Sequence, residues 1–573
     1  MIHKSTLFVA IALALLAACS QPAPSKTDTK ADLLLLNGVF FTADSLHPSA
    51  TAVAVAGDRI LAVGTDAEMR RYAIDKTEII DLQGAFTMPG FIEGHGHFEG
   101  LGASLINLNL MPTKSWQEIV GLVAEKAKSV PAGDWIEGWG WHQEKWDTAP
   151  DRTVSGYPYH DLLSAAAPGH PVVLYHASGH GLIANAKAMQ LAGISRETPD
   201  PIGGHIVRDS RGIPTGVFEE NAMDLIGQSL ATWNNRRSEA QKKADFEKKV
   251  ALASAECLSK GITSFQDAGS NFWELGQYRR LAEAGQLPLR LWAMMSQPGA
   301  KDLPKVADYP QIGLGNGHFT CRAVKAYLDG ALGSYGAWLL APYTDKPEST
   351  GQNTTPVDTI RALAQICRQY NLQLCVHAIG DRGNREMLDV FEQTFGQTPG
   401  NNLRWRIEHA QHIDPADQPR FSQLGVIASM QAIHCTSDAP FVVKRLGLER
   451  ARSGAYAWRN LLQQGAHLAN GTDAPVEDVD PLPCIYASVT RRRADTGLEF
   501  FTEQKMTREE ALLSYTRWNA YAAFEEQEKG VIQPGKLADF VVLSKNLLTC
   551  PPGEILQARV LRTIVGGKEL YKR

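Results

Sequence analysis

The chain has 573 residues, of which 44% are hydrophobic and 21% are charged, an ordinary composition for a globular protein. This length exceeds what one simple core organises, so we expect two domains, or one large domain with an appendage. The formal net charge of −5 argues against the strongly basic surface of nucleic-acid-binding proteins, so no nucleic-acid partner is expected.

Residues 1–19 have the pattern of a bacterial lipoprotein signal peptide. A short positive start precedes the apolar run 7–16, which is shorter than the roughly 20 residues needed to span a bilayer. Leu16-Ala17-Ala18-Cys19 resembles a lipobox, so we predict lipidation of Cys19; an ordinary secretory peptide with an incidental cysteine is the alternative. Residues 20–30 suit a flexible tether. Ser20 favours, by analogy, the periplasmic side of the outer membrane as the location.

Short β-strand patterns separated by glycine turns fill residues 31–88, and a similar pattern returns in 525–573. The first segment contains LLLLNGVFFT and AVAVAGDRILAVG, and the second contains FVVLS and VLRTIVGG. The simplest account is that both termini pair into one small sheet domain.

Residues 89–524 alternate strand and helix patterns, which predicts an α/β fold with a (β/α)8 barrel. Amphipathic stretches such as 358–370 and 382–394 separate some of the strands. The eight strand candidates are FIEGHGHF, GITSFQDAG, PLRLWAMM, CRAVKAYL, LQLCVHAIG, LRWRIEHA, GVIASMQAIH and AHLANGTDA. Residues 101–256 are rich in Trp and His and are interpreted as an insertion after strand one that covers the barrel mouth, where Trp139 and Trp141 either wall a pocket or pack inside the lid.

Six polar residues lie at the ends of five predicted strands, where a barrel brings side chains together over its mouth. Imidazoles and carboxylates are ligands of divalent metals, so this set predicts a hydrolytic metal centre. The six residues are His95, His97, Lys325, His377, His409 and Asp473. Alternatives remain open for each: a Lys325–Asp329 salt bridge, a helix N-cap for Asp473, and hydrogen-bonded core positions for the histidines.

Together these motifs resemble the amidohydrolase superfamily and, within it, the amidohydrolase-3 or YtcJ-like family. The resemblance spans nearly all of the chain after the signal peptide. It includes PGFIEGHGHF, HASGHGLIANAKAM, VKAYLDGALGSYGA, VHAIGDRGN, RIEHAQHI, NGTDAPVEDVDPL and GVIQPGKLADFVVL. It implies a distorted (β/α)8 TIM barrel beside a small β-sandwich built from residues 31–88 and 525–573. Two positions depart from the family pattern: Glu93-Gly94, and Ala432-Ile433 before His434.

The resemblance also implies roles for the site residues. His95, His97 and Asp473 would hold the more buried of one or two ions, with zinc expected, and His377 and His409 the more exposed one. Lys325 would bridge the ions as a carbamate formed with carbon dioxide, and Asp473 would also act as the catalytic proton carrier. The candidate substrate-binding residues are His180, Asp329 and His434.

The expected function is metal-dependent hydrolysis of a non-peptide C–N bond in a small-molecule amide, through a hydroxide that the metal activates. An ester, lactone or phosphoester substrate, or a non-catalytic binding or regulatory lipoprotein, is the alternative. The membrane is expected as a partner through the N-terminal lipid anchor, and a homodimer is left open.

Overall fold

The computed structural model describes residues 29–396 and 402–573. The predicted signal peptide, Cys19 and nearly all of the predicted tether lie outside the described residues. Among the residues that are described, no helix is both long enough and apolar enough to cross a membrane.

Eight parallel strands form the central sheet, and each is hydrogen-bonded to the next in chain order. Barrel strands one to eight are Phe91–Gly96, Ile262–Ser270, Arg290–Ser296, Phe319–Tyr327, Gln373–Ala378, Arg406–His409, Ile427–Met430 and His467–Asn470. Every predicted strand is found, and the TIM-barrel-like α/β fold is confirmed. The interiors of these strands are almost entirely buried, as expected for a parallel sheet covered by helices.

The side chain of Asn519 bridges strand one and strand eight, where the sheet ladder is interrupted. Its amide nitrogen donates to the carbonyls of Ile92 and Asn470 at 2.6 and 2.7 Å, and its oxygen accepts from the Asn470 amide at 3.0 Å. Asn519 is fully buried. This side chain therefore supplies hydrogen bonds between strands one and eight where the ladder is missing, and it helps to hold the barrel nearly closed.

Helices surround the barrel and bury one apolar face each. In Val357–Gln369 the buried residues Ile360, Leu363, Ala364 and Cys367 follow the i, i+3, i+4, i+7 spacing of a helix packed on a sheet. That helix and Asp381–Phe395 lie within two residues of the predicted amphipathic stretches. The other α-helices of six or more residues in the described residues outside 108–235 are Phe98–Ser104, Glu239–Ser259, Phe272–Glu283, Gln418–Leu424, Ala432–Ser437, Ala439–Leu446, Leu448–Gly454, Trp458–Gln463, Pro481–Thr490, Arg508–Ser514 and Arg517–Ala522.

Two further sheets lie at the chain ends. The first contains Arg59–Gly64, Ala52–Ala56, Leu33–Leu36 and Glu78–Asp81, in that order across the sheet. The second contains Lys568–Lys572, Val560–Val565, Phe540–Leu543, Phe86–Pro89, Val39–Phe41 and Ser49–Ala50. Phe540 pairs with Pro89, so the N-terminal and C-terminal segments meet in one sheet. Leu35 and Val53 share a buried cluster with Phe540 and Ile564.

Residues 108–235 form a separate six-stranded sheet with its own helices. Across the sheet the strands are Gly204–Arg208, Pro214–Glu220, Gly181–Ala184, Val172–His176, Ile136–Trp141 and Leu108–Asn109, and the helices are Trp116–Ala127, Asp161–Ala166, Ala186–Leu191 and Met223–Asn235. Helix Glu239–Ser259 differs, because its Phe246, Val250 and Cys257 belong to the same buried cluster as the barrel strands. The predicted insertion 101–256 thus includes a helix that packs on the barrel.

A buried ion pair joins barrel strand three to the C-terminal segment. Arg290 donates from Nε and an Nη to the two carboxylate oxygens of Asp539 at 2.7 and 3.0 Å. Burial raises the pKa of Asp539, but the Arg290 guanidinium outweighs burial and holds that pKa below its ordinary value of 3.8. A lowered carboxylate pKa stabilises the fold above pH 4, and this stabilisation is lost as the pH falls through the folded-state pKa.

We expect Asp539→Asn to lower the free energy of unfolding by about 3–5 kcal/mol at pH 7, because the Arg290 charge would remain buried without its partner. The difference in free energy of unfolding between Asp539→Asn and the parent protein should become smaller below pH 4. Urea unfolding at several pH values measures both effects. Asp495→Asn removes an exposed carboxylate paired with Arg493 and should cost less than about 1 kcal/mol. Equal losses in the two variants would contradict this account.

Candidate metal centre

The six predicted ligands all lie at the C-terminal ends of barrel strands. His95 and Lys325 lie within strands one and four, His377 within strand five, and His409 ends strand six. His97 follows strand one as the first residue of the turn into helix Phe98–Ser104, and Asp473 lies three residues beyond strand eight. Five of the six are buried; the His97 side chain is 31% exposed.

Asp473 is at the centre of the histidine cluster. Its Oδ1 lies 3.2 Å from His97 Nε2 and 3.5 Å from His95 Nε2, and its Oδ2 lies 4.0 Å from His409 Nδ1. The His409 ring centroid lies 4.8 Å from that of His95 and 4.4 Å from that of His377. Ligand atoms of His95, His409 and Asp473 all lie within 4.8 Å of one another, which makes this trio a possible metal site.

The protonation states favoured by the site suit metal ligation. Burial lowers the pKa of His95 to about 4 and holds the pKa values of His377 and His409 well below normal, so these imidazoles are neutral at pH 7. Burial alone would raise the pKa of Asp473, but the His97 hydrogen bond and the neighbouring histidines hold it well below its usual value. His95 Nε2 and His377 Nε2 are buried and have no hydrogen-bond partner among the described residues.

Lys325 is buried at the same rim and lines a cavity with His97, His377 and His409. Its Nζ lies 4.3 Å from the ring centroid of Tyr327. Within residues 29–396 and 402–573 no carboxylate lies within ion-pair distance of it, so the alternative Lys325–Asp329 salt bridge is not present. The bridging carbamate stays a prediction.

The backbone is strained where two of the candidate ligands are presented. His409 has φ +73° and Asp473 has φ +60°, both in the left-handed region that residues with a Cβ rarely adopt. The Asp473 amide donates to the His95 carbonyl at 2.7 Å, which fixes strand eight against strand one. Strain of this kind is maintained where surrounding contacts hold a functional side chain in place. The side chain of Asp473 faces the histidines and caps no helix, since the next helix begins at Pro481 with Asp480 as its N-cap.

A buried network that the sequence analysis did not identify orients His95. His95 Nδ1 donates to Glu408 Oε2 at 2.5 Å, and Arg406 Nε lies 2.7 Å from Glu408 Oε1. Arg406 also donates to the Gly94 carbonyl and the Ser429 hydroxyl, both at 2.7 Å. A carboxylate that accepts from Nδ1 leaves Nε2 free for a metal and fixes the ring. The sequence signal for this network was the pair Arg406 and Glu408 in RIEH. Residues two apart on a strand point to the same face of the sheet.

The three predicted substrate-binding residues differ in their contacts. His180 donates from Nδ1 to Glu220 at 2.8 Å, and its ring centroid lies 4.9 Å from that of His377. Asp329 accepts three backbone hydrogen bonds, from Trp338, Ile379 and Gly380, at 2.8–2.9 Å. Its oxygen is also 3.6 Å from His377 Nε2, so it supports the loop after strand five and the His377 ring.

His434 lies in helix Ala432–Ser437 rather than at the end of strand seven, which stops at Met430. The predicted continuous strand over this segment is therefore wrong. Nδ1 of His434 accepts a hydrogen bond from Gln411 Nε2 at 3.1 Å, and its buried Nε2 has no hydrogen-bond partner among the described residues. His434 lines a cavity together with His409 and Asp473.

Two cavities of unequal size meet at this cluster. The small cavity, of about 60 Å³, is lined by residues including His142, Lys145, His434, Asp438 and Phe441. The large cavity, of about 380 Å³, is lined by residues including Glu99, Glu137, Trp139, Tyr175, Lys249 and Tyr327. Asp473, His409 and His180 line both cavities. A substrate bound across Asp473 would therefore place one part in each cavity.

A TIM-barrel-like fold with buried neutral histidines and an ionised aspartate at its C-terminal mouth defines the class of metal-dependent barrel hydrolases. The profile of the Amidohydrolase family matches residues 78–571. The chain belongs to this family, and it is a hydrolase.

Three curated relatives match almost the whole chain. Protein LONG AFTER FAR-RED 3 of Arabidopsis thaliana is 32% identical, over 94% of this chain and 92% of its own length. Putative amidohydrolase YtcJ of Bacillus subtilis is 30% identical, over 88% and 92%. N-substituted formamide deformylase of Arthrobacter pascens is 27% identical, over 95% and 98%. An uncharacterized metal-dependent hydrolase from Pyrococcus horikoshii has a similar structure, with a TM-score of 0.73 and 25% identity over 91% of this chain and 99% of its own.

Proposed function

We propose that this protein hydrolyses a non-peptide amide C–N bond and removes a small acyl group from the nitrogen of a larger amine. The observation that carries the proposal is the position of Asp473, which lies among neutral histidines where a cavity of about 60 Å³ meets one of about 380 Å³. The small cavity has room for a formyl or acetyl group. The large cavity has room for a bulky amine substituent.

The similarity to N-substituted formamide deformylase supports this assignment, because that relative aligns along nearly its full length. Its name describes the same asymmetry, a one-carbon acyl group on a substituted nitrogen. The two unequal cavities are an independent argument for such a substrate.

The donor set fits a divalent metal. His95, His97 and Asp473 would hold one ion, and His377, His409 and a carboxylated Lys325 would hold a second. A bound divalent ion, for which we propose zinc, polarises a carbonyl and makes water more acidic. Asp473 is ionised at neutral pH, so it can accept a proton from the attacking water and return it to the leaving nitrogen. We also propose that Nε2 of His434, which has no hydrogen-bond partner among the described residues, donates to the acyl oxygen from the small cavity.

The proposal can be tested with the full chain purified in detergent. We expect bound zinc by elemental analysis and hydrolysis of N-formylbenzylamine, which is lost on chelation and restored by zinc. The value of kcat/KM should fall at least about tenfold from the N-formyl to the N-butyryl amide, because each added carbon crowds the smaller of the two cavities.

Absence of any bound metal, or hydrolysis of esters or lactones without hydrolysis of amides, would contradict the proposal. A faster reaction with the larger acyl group would show that the cavities are assigned the wrong way round.

We further propose that the protein is exported and anchored through lipid on Cys19, facing the periplasm. This rests on the sequence pattern of residues 1–19 alone. The homodimer that the sequence analysis left open is likewise a proposal.

A further inference from the structure

Strand Ile136–Trp141 of the inserted sheet forms one wall of the large cavity. Ile136 belongs to the buried cluster of the insertion, and a Cβ at Gly138 would meet Leu174 and Leu110 of that cluster. Glu137 and Trp139 alternate with these residues and line the cavity. The inward face of this strand therefore presents a carboxylate and an indole, two residues apart, to the bound substrate.

A register shift keeps Trp141 out of the cavity. The pairing with strand Val172–His176 is interrupted between Trp139 and Trp141, where Gly140 has φ +105°. The shift turns Trp141 into the core, where its indole donates to the Leu174 carbonyl at 2.8 Å. Trp139 instead pairs across the strands with Tyr175, with ring centroids 5.9 Å apart.

Glu137 has no ion-pair or hydrogen-bond partner within residues 29–396 and 402–573. The nearby carboxylate of Glu99 differs, because it pairs with Lys249 at 2.5 Å. Lys249 therefore neutralises Glu99, and Glu137 is left in this wall of the cavity without a cation at ion-pair distance. Burial raises the pKa of Glu137, with a smaller contribution from the Glu99 charge, and the Lys249 charge opposes this rise without cancelling it.

We propose that Glu137, with the aromatic faces of Trp139 and Tyr175, binds a positively charged group on the amine side of the substrate. Carboxylates and aromatic faces both attract ammonium groups, and partial removal from water strengthens that attraction. This inference rests on the proposed function for the identity of the substrate, because the large cavity holds the amine side.

Binding without catalysis tests the inference first. Choline and its neutral isostere 3,3-dimethylbutan-1-ol differ in charge and little in shape. Calorimetric titration of the full chain should show choline bound at least about tenfold more tightly, and Glu137→Gln should remove this preference. Glu348→Gln makes the same change in net charge at an exposed residue outside the cavity and should keep the preference. Lys249→Met should increase the preference for choline over its isostere, because Glu99 would lose its counter-ion.

The same comparison applies to hydrolysis. The formamide of 2-aminoethyl-trimethylammonium should have a higher kcat/KM than the formamide of 3,3-dimethylbutylamine, and Glu137→Gln should remove the difference mainly through KM. Equal binding of choline and its isostere, or a preference that survives in Glu137→Gln, would overturn the inference. If neither formamide is hydrolysed while the binding preference holds, the proposed function fails and the cation site stands.

Discussion

Asp473→Asn is expected to lower kcat for an N-formyl amine by about 10³-fold. An asparagine at this position cannot accept the proton of the attacking water, and general base catalysis typically contributes about 10²–10⁴-fold. The substitution also removes the carboxylate that, among the described residues, lies within 4.0 Å of all three of His95, His97 and His409, so bound metal should decrease as well. Initial rates at saturating substrate and elemental analysis of the purified variant measure the two effects.

Asp478→Asn is the matched control for this experiment. Asp478 is in the loop that follows strand eight, its side chain is 65% exposed, and it lines neither of the two cavities that meet at Asp473. Its replacement should leave kcat within about twofold, as for an ordinary surface position. An Asp473→Asn protein that folds normally and keeps more than a tenth of the parent rate would show that Asp473 is not the proton carrier.

Glu408→Gln is expected to weaken both metal binding and the fold. Glutamine cannot balance the Arg406 charge, which is fully buried, so the free energy of unfolding should fall by about 3–5 kcal/mol. His95 would lose its charged hydrogen-bond acceptor at 2.5 Å, and loss of such an outer partner typically reduces metal affinity about 10–100-fold. Denaturant unfolding and competition with a zinc chelator measure these two quantities separately.

The double variant Arg406→Met/Glu408→Met distinguishes the two effects. Replacing a buried ion pair by apolar residues of similar volume is often neutral or stabilising, so the double variant should recover stability over Glu408→Gln. Metal affinity should stay reduced, because His95 still lacks an acceptor at Nδ1. Recovery of both properties would mean that Glu408 serves only to neutralise Arg406, and normal metal affinity in Glu408→Gln would exclude its role in orienting His95.

The barrel was predictable from the sequence because its signals are local. Short apolar runs such as QLCVHA in strand five and the helix spacing of Ile360, Leu363 and Cys367 depend only on neighbouring residues. The position of a polar side chain at a strand end is also a local property. In a parallel barrel, all such ends meet at one rim, so the set from His95 to Asp473 could be proposed before its members were seen together.

The tertiary structure decided what depends on contacts between distant segments. The Glu408 carboxylate accepts a hydrogen bond from the ring of His95, which is 313 residues away in the chain. The side chain of Asn519 joins strands one and eight. No local pattern specifies such partners. Similarly, the sequence showed two tryptophans two residues apart, but the register shift at Gly140 placed Trp139 in the cavity and Trp141 in the core.

The sequence by itself therefore determined the order of strands and helices and the chemistry of the candidate ligands, because hydrophobic periodicity and side-chain type act over a few residues. Only the tertiary structure decided which charges are compensated, which imidazole nitrogens are free, and how the space around Asp473 is divided. These properties follow from burial and packing between segments far apart in the chain, where one side chain such as Lys249 determines whether a neighbouring carboxylate is neutralised.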